Sequence, residues 1–358
     1  MTRTRLCGFL ASGLLVFFAS APPHPALARR PLPQGGEGIF MPGSVRSSTG
    51  FPPALAASVA RRTQHQAKSA ATTPSIGFDG DRAFQDLKHL VDFGPRPPGS
   101  KALDDSRRWI IHQLQADGCT VDEDSFVAST PVGQIPMTNL IARIPGARPE
   151  IVMVTGHYDT LRLEGGRFVG ANDGGSSAAF LTELARQLCR RKNPVTYWLV
   201  WFDGEEALVN WTATDSVYGS RHLAGKLTAS GELSRIQAMI LVDMIADAKL
   251  DIYRDAASTA WLTDLIFKTA HRLGYNKQFL DEPRGYQDDH IPFVDAGVAA
   301  ADILDLDYGP RSASHPNGAY WHTPQDTVDK CSAASLGIVG RVVAATLEEL
   351  EQRLQSKH

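Results

Sequence analysis

Hydrophobic and polar positions alternate in blocks from about residue 78 onward. Ala83 to Val91 and Ser106 to Ala116 carry apolar residues at helical spacing. The turn-forming string Phe93-Gly94-Pro95-Arg96-Pro97-Pro98-Gly99 lies between them. Short runs apolar on both faces follow: Leu140–Ile144, Ile151–Thr155, Thr196–Phe202, Ala238–Val242 and Val298–Leu304. Helical patterns separate them at Ser176–Leu188, Ser220–Ala224, Ala260–Leu273 and Leu336–Leu354. Strands buried on both faces and joined by helices predict a single α/β domain. Its central sheet is mostly parallel and twisted, with helices on both faces.

The first 75 residues read differently. Arg3 and Arg5 precede a mostly apolar run from Leu6 to Ala21, and Ala26-Leu27-Ala28 has the small residues of a cleavage site. The run falls short of the roughly 20 apolar residues that span a bilayer. Residues 1–28 are therefore expected to be an export signal, giving a periplasmic or secreted product without stable membrane insertion. Residues 29–75, rich in Pro, Gly, Ser and Ala, read as a disordered linker. Residues 76–358 are expected to form the folded domain.

Charge sharpens this division. The formal net charge is -3, but residues 1–75 hold eight Lys or Arg against one acid, leaving 28 basic and 38 acidic residues for the rest. An acidic body without a basic stripe argues against a nucleic-acid partner. Cys7 falls within the export signal, so Cys119, Cys189 and Cys331 remain, with no C-x-x-C. Neither a disulfide framework nor a thiolate zinc site is indicated. One bridge has room to form, and the sequence does not choose it.

The unusual polar residues fall where an open α/β sheet binds ligands, beyond the carboxyl ends of strands. Ile151–Thr155 runs into Gly156-His157-Tyr158-Asp159, Thr196–Phe202 into Asp203-Gly204-Glu205-Glu206, and Ala238–Val242 into Asp243. Asp173 precedes a helix, and Trp321-His322-Thr323-Pro324 follows the last strand. Taken singly, Asp173 reads as a helix cap, Glu205-Glu206 as a solvated pair, and Trp211 and Trp321 as core. Taken together, acids and imidazoles behind buried strands need a compensating cation, and nitrogen and oxygen donors without thiolate suit zinc.

In order and spacing, His157-Tyr158-Asp159, Asp173, Glu205-Glu206, Asp243 and His322 resemble the zinc aminopeptidase family M28. Three strings resemble its glutaminyl-peptide cyclotransferase branch more closely. They are Phe202 to Ala207 followed by Trp211 and Asp215 to Ala224; Asp288-Asp289-His290-Ile291-Pro292-Phe293; and Trp321-His322-Thr323-Pro324. The match runs from Phe93 to Asp329. The resemblance implies one zinc ion per chain on Asp173, Glu206 and His322, with Glu205 as general acid/base. It also implies that Asp243 and Asp288 form the network holding Glu205, while Trp211 and Trp321 line the substrate pocket. The substrate would be a peptide or protein with an N-terminal glutamine, cyclised to pyroglutamate with loss of ammonia by a monomeric enzyme. Two positions depart from the animal cyclases. Asp302 stands where they carry a histidine, and Gly156 where they carry one cysteine of a disulfide. A two-zinc aminopeptidase is the competing reading: His157 and Asp243 would hold a second zinc and Asp173 would bridge.

Overall fold

The computed structural model describes residues 74–356. The expected export signal, and all of the expected linker except its last two residues, lie outside the described residues.

Among the described residues eight strands form: β1 (Val121–Thr130), β2 (Gly133–Ile144), β3 (Ile151–His157), β4 (Thr196–Phe202), β5 (Ile236–Asp243), β6 (Ile252–Asp255), β7 (Phe279–Arg284) and β8 (Ala300–Leu304). The α-helices are α1 (Gly80–Asp92), α2 (Lys101–Ala116), α3 (Gly175–Cys189), α4 (Tyr218–Ser230), α5 (Ala260–Arg272), α6 (Ile291–Asp295) and α7 (Ala333–Ser356). The main sheet has the order β1-β2-β4-β3-β5-β8, with β6 and β7 as a separate parallel pair. The pairings β3·β4, β3·β5 and β5·β8 are parallel, while β2 is antiparallel to both β1 and β4.

The expected mostly parallel sheet is thus present, with an antiparallel hairpin added at one edge. β1 escapes the hydrophobic pattern because it is an edge strand. Asp122, Glu123 and Asp124 punctuate it, and such charges deter pairing with another chain. Four of the five expected strands lengthen, shorten or shift at their ends, and Thr196–Phe202 is unchanged.

Side-chain alternation along the strands builds two cores. Leu140, Val152, Leu199 and Ile240 face α1, α2, α3, α5 and α7. Their neighbours Ile141, Met153, Val200 and Met239 face α4 and α6, through Leu223, Leu227 and Phe293. Large side chains buried this fully contribute roughly 1.5–3 kcal/mol each. Local signals fix the helix starts: the side chains of Asp79 and Ser100 accept the amides of Arg82 and Leu103 at 3.0 and 3.1 Å. Cys119 and Cys189 are joined in a disulfide that ties the end of α2 to the end of α3, and Cys331 is a buried free thiol. Among the described residues, no helix is long and apolar enough to cross a membrane.

Candidate active site

The carboxyl ends of β3, β4 and β5 deliver His157, the Glu205-Glu206 turn and Asp243 to one place. Asp173 joins them from the loop before α3, and His322 from the long segment after β8. The helix-cap reading of Asp173 is excluded. The residue that caps α3 is Gly174, with φ 80°, and no side chain caps the helix. A Cβ at Gly174 would lie 2.2 Å from the carbonyl oxygen of Asp159, so only glycine lets this loop approach β3 closely enough to place Asp173.

Two overlapping groups of donors result. One ligand atom each from Asp173, Glu206 and His322 lie within 4.8 Å of one another, and so do atoms of His157, Asp173 and Asp243. The groups differ in how they are satisfied. His157 Nε2 is 3.1 Å from Asp243 Oδ1, a hydrogen bond, and 3.3 Å from Asp173 Oδ1, while His157 Nδ1 is buried without a hydrogen-bond partner. In the other group, His322 Nε2 lies 3.3 Å from Asp173 Oδ2 and 3.3 Å from a Glu206 oxygen. Yet Asp173 Oδ2 and both Glu206 carboxylate oxygens are buried without a hydrogen-bond partner. Converging nitrogen and oxygen atoms that make no hydrogen bonds suit a cation between them, so these three residues fit a zinc ion.

The electrostatics point the same way. Burial opposes a charged His322, but Glu206 and Asp173 outweigh it and lift its pKa to about 10. Burial and the charge of Asp173 raise Glu206 to about 7. Burial also drives Glu205 well above the ordinary carboxylate range, with Asp288, Glu206 and Asp289 adding to the rise and His157 opposing it. The acids outnumber the imidazoles, and a bound divalent cation is the usual remedy.

Glu205, Asp173, Asp243, Asp288 and His322 share a cavity of about 230 Å³ with Trp211 and Trp321. All sequence-predicted site residues line this cavity except Glu206 and His157, which lie in the donor groups beside it. Among the described residues, no hydrogen bond joins Glu205 to Asp243 or Asp288. Asp288 instead accepts the amide of Asp289 at 2.5 Å. The Trp321 ring stacks on His322 with centroids 4.0 Å apart. Trp211 is 43% exposed, so it belongs to the cavity mouth rather than the core. The three non-glycine residues with positive φ among the described residues all lie here. They are His322 (54°), Met244 (50°) beside Asp243, and Val217 (43°), whose amide donates to the Glu205 carbonyl at 2.8 Å. Strained backbone retained in this way clusters at functional sites.

With this geometry in place, comparison with known proteins is informative. Residues 139–347, more than half of the chain, match the model of peptidase family M28. The chain belongs to peptidase family M28. Within the family, it is 34% identical over 284 residues to a mouse glutaminyl-peptide cyclotransferase-like protein, covering 71% of this chain and 72% of that one. A glutaminyl cyclase from an Acidobacteriales bacterium superposes with a TM-score of 0.76 at 39% identity, covering 80% of this chain and 99% of its own. The glutaminyl cyclase of Porphyromonas gingivalis gives a TM-score of 0.70 at 28% identity, covering 76% and 99%.

Four further residues of this M28 chain support the site, and sequence reading gave none of them a role. The Asp159 carboxylate accepts the amides of Glu205 and Glu206 at 3.1 and 3.3 Å, fixing the paired-glutamate turn. Asp326 accepts the amides of Asn172 and Asp173 at 2.8 and 3.1 Å and the Tyr308 hydroxyl at 2.7 Å. Arg96 is fully buried, and its guanidinium donates to the carbonyls of Leu90, Gly94, Val169 and Gly170. It thereby clamps the loop that leads to Asp173. Asp215 accepts the amides of Leu208, Val209 and Asn210 at 2.9, 3.0 and 2.9 Å, closing the loop whose tip is Trp211. Of the four, Asp159 had a sequence signal, since it stands two residues after His157 at a strand end, and Asp215 opens the Asp215 to Ala224 string.

Proposed function

We propose that this chain is an exported, zinc-dependent glutaminyl-peptide cyclotransferase, acting on peptides or proteins with an N-terminal glutamine and releasing ammonia. The observation that carries the reading is the cavity in which Glu205 meets Asp173, His322, Asp288 and two tryptophans. The similarity to cyclotransferases over most of the chain supports it.

Asp173, Glu206 and His322 would hold the zinc. Bound there, zinc supplies Lewis-acid polarisation of the substrate's side-chain amide oxygen. The chain's own residues do the rest. Trp211 and Trp321 confine the glutaminyl side chain, so that the α-amine lies within reach of the amide carbon. Glu205, its pKa raised by burial, takes a proton as the amine attacks and returns one to the departing ammonia. Asp288, on the same wall, adds negative charge that raises the proton affinity of Glu205. The small cavity excludes competing water, which would only deamidate the substrate. A single zinc is supported by the His157–Asp243 hydrogen bond, in which Nε2 and Oδ1, two of the atoms a second ion would need, engage each other. The Cys119–Cys189 bridge supports export, since disulfides persist in oxidising compartments.

Incubating the purified protein with a Gln-initiated dipeptide tests the reading. Ammonia release with loss of one ammonia mass from the peptide is expected. The second reading, a two-zinc aminopeptidase, draws on the His157, Asp173 and Asp243 group. A metal content near two with release of leucine from a leucine amide would establish it in place of the first.

A further inference from the structure

Trp211, Gln287 and Asp288 line two cavities. One is the catalytic cavity. The other, of about 400 Å³, lies alongside it, with Ala213, Val217, Ile291 and Pro292 as apolar walls and Arg221 and Asp295 as charged ones. We propose that this second cavity binds the residue that follows the N-terminal glutamine. It favours a long side chain ending in a hydrogen-bond acceptor, glutamate above all. The proposal rests on the cyclotransferase reading and specifies which peptides that site takes.

The first argument is continuity. A glutaminyl side chain in the catalytic cavity leaves the peptide to exit through its carbonyl group, and one residue spans only about 3.5 Å. The next side chain therefore emerges where the two cavities share their wall.

The second argument is the chemistry of that wall. Val217, Ile291 and Pro292 suit the methylenes of a long side chain. Arg221 suits its end. The Arg221 Nε and Nη2 atoms donate to the Ser216 carbonyl at 3.1 and 2.9 Å, and Nη2 also approaches the Thr214 carbonyl at 3.3 Å. The guanidinium lies 4.9 Å from the centroid of the Tyr218 ring. It is held in place, so an incoming acceptor meets a cation that has no rotamer freedom left to lose. Arg221 makes no ion pair with a carboxylate among the described residues. Two carboxylates oppose it: Asp295 is exposed and its field is screened by water, and Asp288, on the shared wall, accepts the Asp289 amide at 2.5 Å, whereas Arg221 is half-buried and acts through a lower effective dielectric.

In the larger cavity of about 830 Å³ near Asp247 the cations are already paired. There Lys249 pairs with Asp251, Asp307 with Arg284 and Arg311, and Lys330 with Asp329.

The test compares kcat/KM for Gln-Glu, Gln-Gln, Gln-Lys and Gln-Gly amides, followed by ammonia release at low and high salt. Gln-Glu is expected to exceed Gln-Lys by about tenfold at low salt, with Gln-Gln between them and the ratio shrinking as salt rises. Arg221→Met should bring the Glu-to-Lys ratio close to one. Ala213→Phe, at an exposed position, should fill the cavity and lower the Glu-to-Gly ratio several-fold. Equal kcat/KM for Gln-Glu and Gln-Lys in the wild type, or ratios unmoved by both variants, would overturn the proposal. If no Gln peptide releases ammonia, the cyclotransferase reading fails and takes this one with it. Turnover of all four without discrimination removes the subsite alone.

Discussion

Two regions of the molecule bury acidic side chains, and they treat them in opposite ways. On the helical face, Arg186 pairs with Asp86, Asp117 and Glu183, while Arg82 and Arg190 add second partners for Glu183 and Asp117. At the strand ends, Asp173, Glu205, Glu206, Asp243, Asp288, Asp289 and Asp302 are buried without an arginine or lysine partner among the described residues. Desolvating a charge costs free energy that an ion pair offsets. Pairing fits the first group to an architectural part, and convergence around one cavity without such partners fits the second to the proposed site.

The largest test of this contrast is Glu205→Gln. Turnover of a Gln-dipeptide should fall by on the order of 10³, with metal content and melting temperature maintained. Near-normal ammonia release would remove Glu205 as the base. Arg186→Met should do the reverse: a loss of about 3–5 kcal/mol in urea unfolding, because Asp86 loses its partner and Glu183 and Asp117 keep only Arg82 and Arg190, while kcat of the folded fraction stays constant. If kcat collapses instead, the two regions are not independent.

Asp326→Asn probes the boundary between them, since its carboxylate holds the loop of a proposed zinc ligand without touching the metal. Zinc affinity, read by competition with a chelator, should weaken roughly 10- to 100-fold. Unchanged affinity would make Asp326 architectural.

The smallest effect concerns an unpaired acid away from the site. Burial lifts Asp247 to about 6 from an ordinary value of 3.8. Below pH 4 it is protonated in both folded and unfolded chains and costs nothing. Between pH 4 and 6 the unfolded chain ionises first, so stability drops, and the penalty persists above pH 6. Asp247→Asn keeps an acceptor for the Lys249 amide, 3.1 Å away in the wild type. It should therefore raise the melting temperature by a few degrees at pH 7.5, by less at pH 4.5, and leave turnover unchanged. Lost turnover would extend the functional group of acids to this cavity.

How much of this was legible in the sequence follows from the physics of each element. Strands buried on both faces announce themselves, and Thr196–Phe202 was readable to the residue. β1 was not, because half of an edge strand faces water and reads as polar. The ligand candidates were readable through their places at strand ends. Asp326 and Arg96 were not, since their roles are hydrogen bonds to backbone groups as many as 154 residues away in the chain. Such contacts leave no local pattern. The pairing of Cys119 with Cys189 was equally hidden, because it depends on two helix ends meeting in space.

That bridge closes a segment 70 residues apart in sequence. By the chain-entropy estimate, restricting so long a loop in the unfolded ensemble is worth about 4 kcal/mol. It sits at the far end of α3 from Asp173, remote from every donor described above. A chain made in a reducing compartment would therefore keep its chemistry and lose its margin against heat and proteolysis, so the place of synthesis governs how long the enzyme lasts rather than how fast it works.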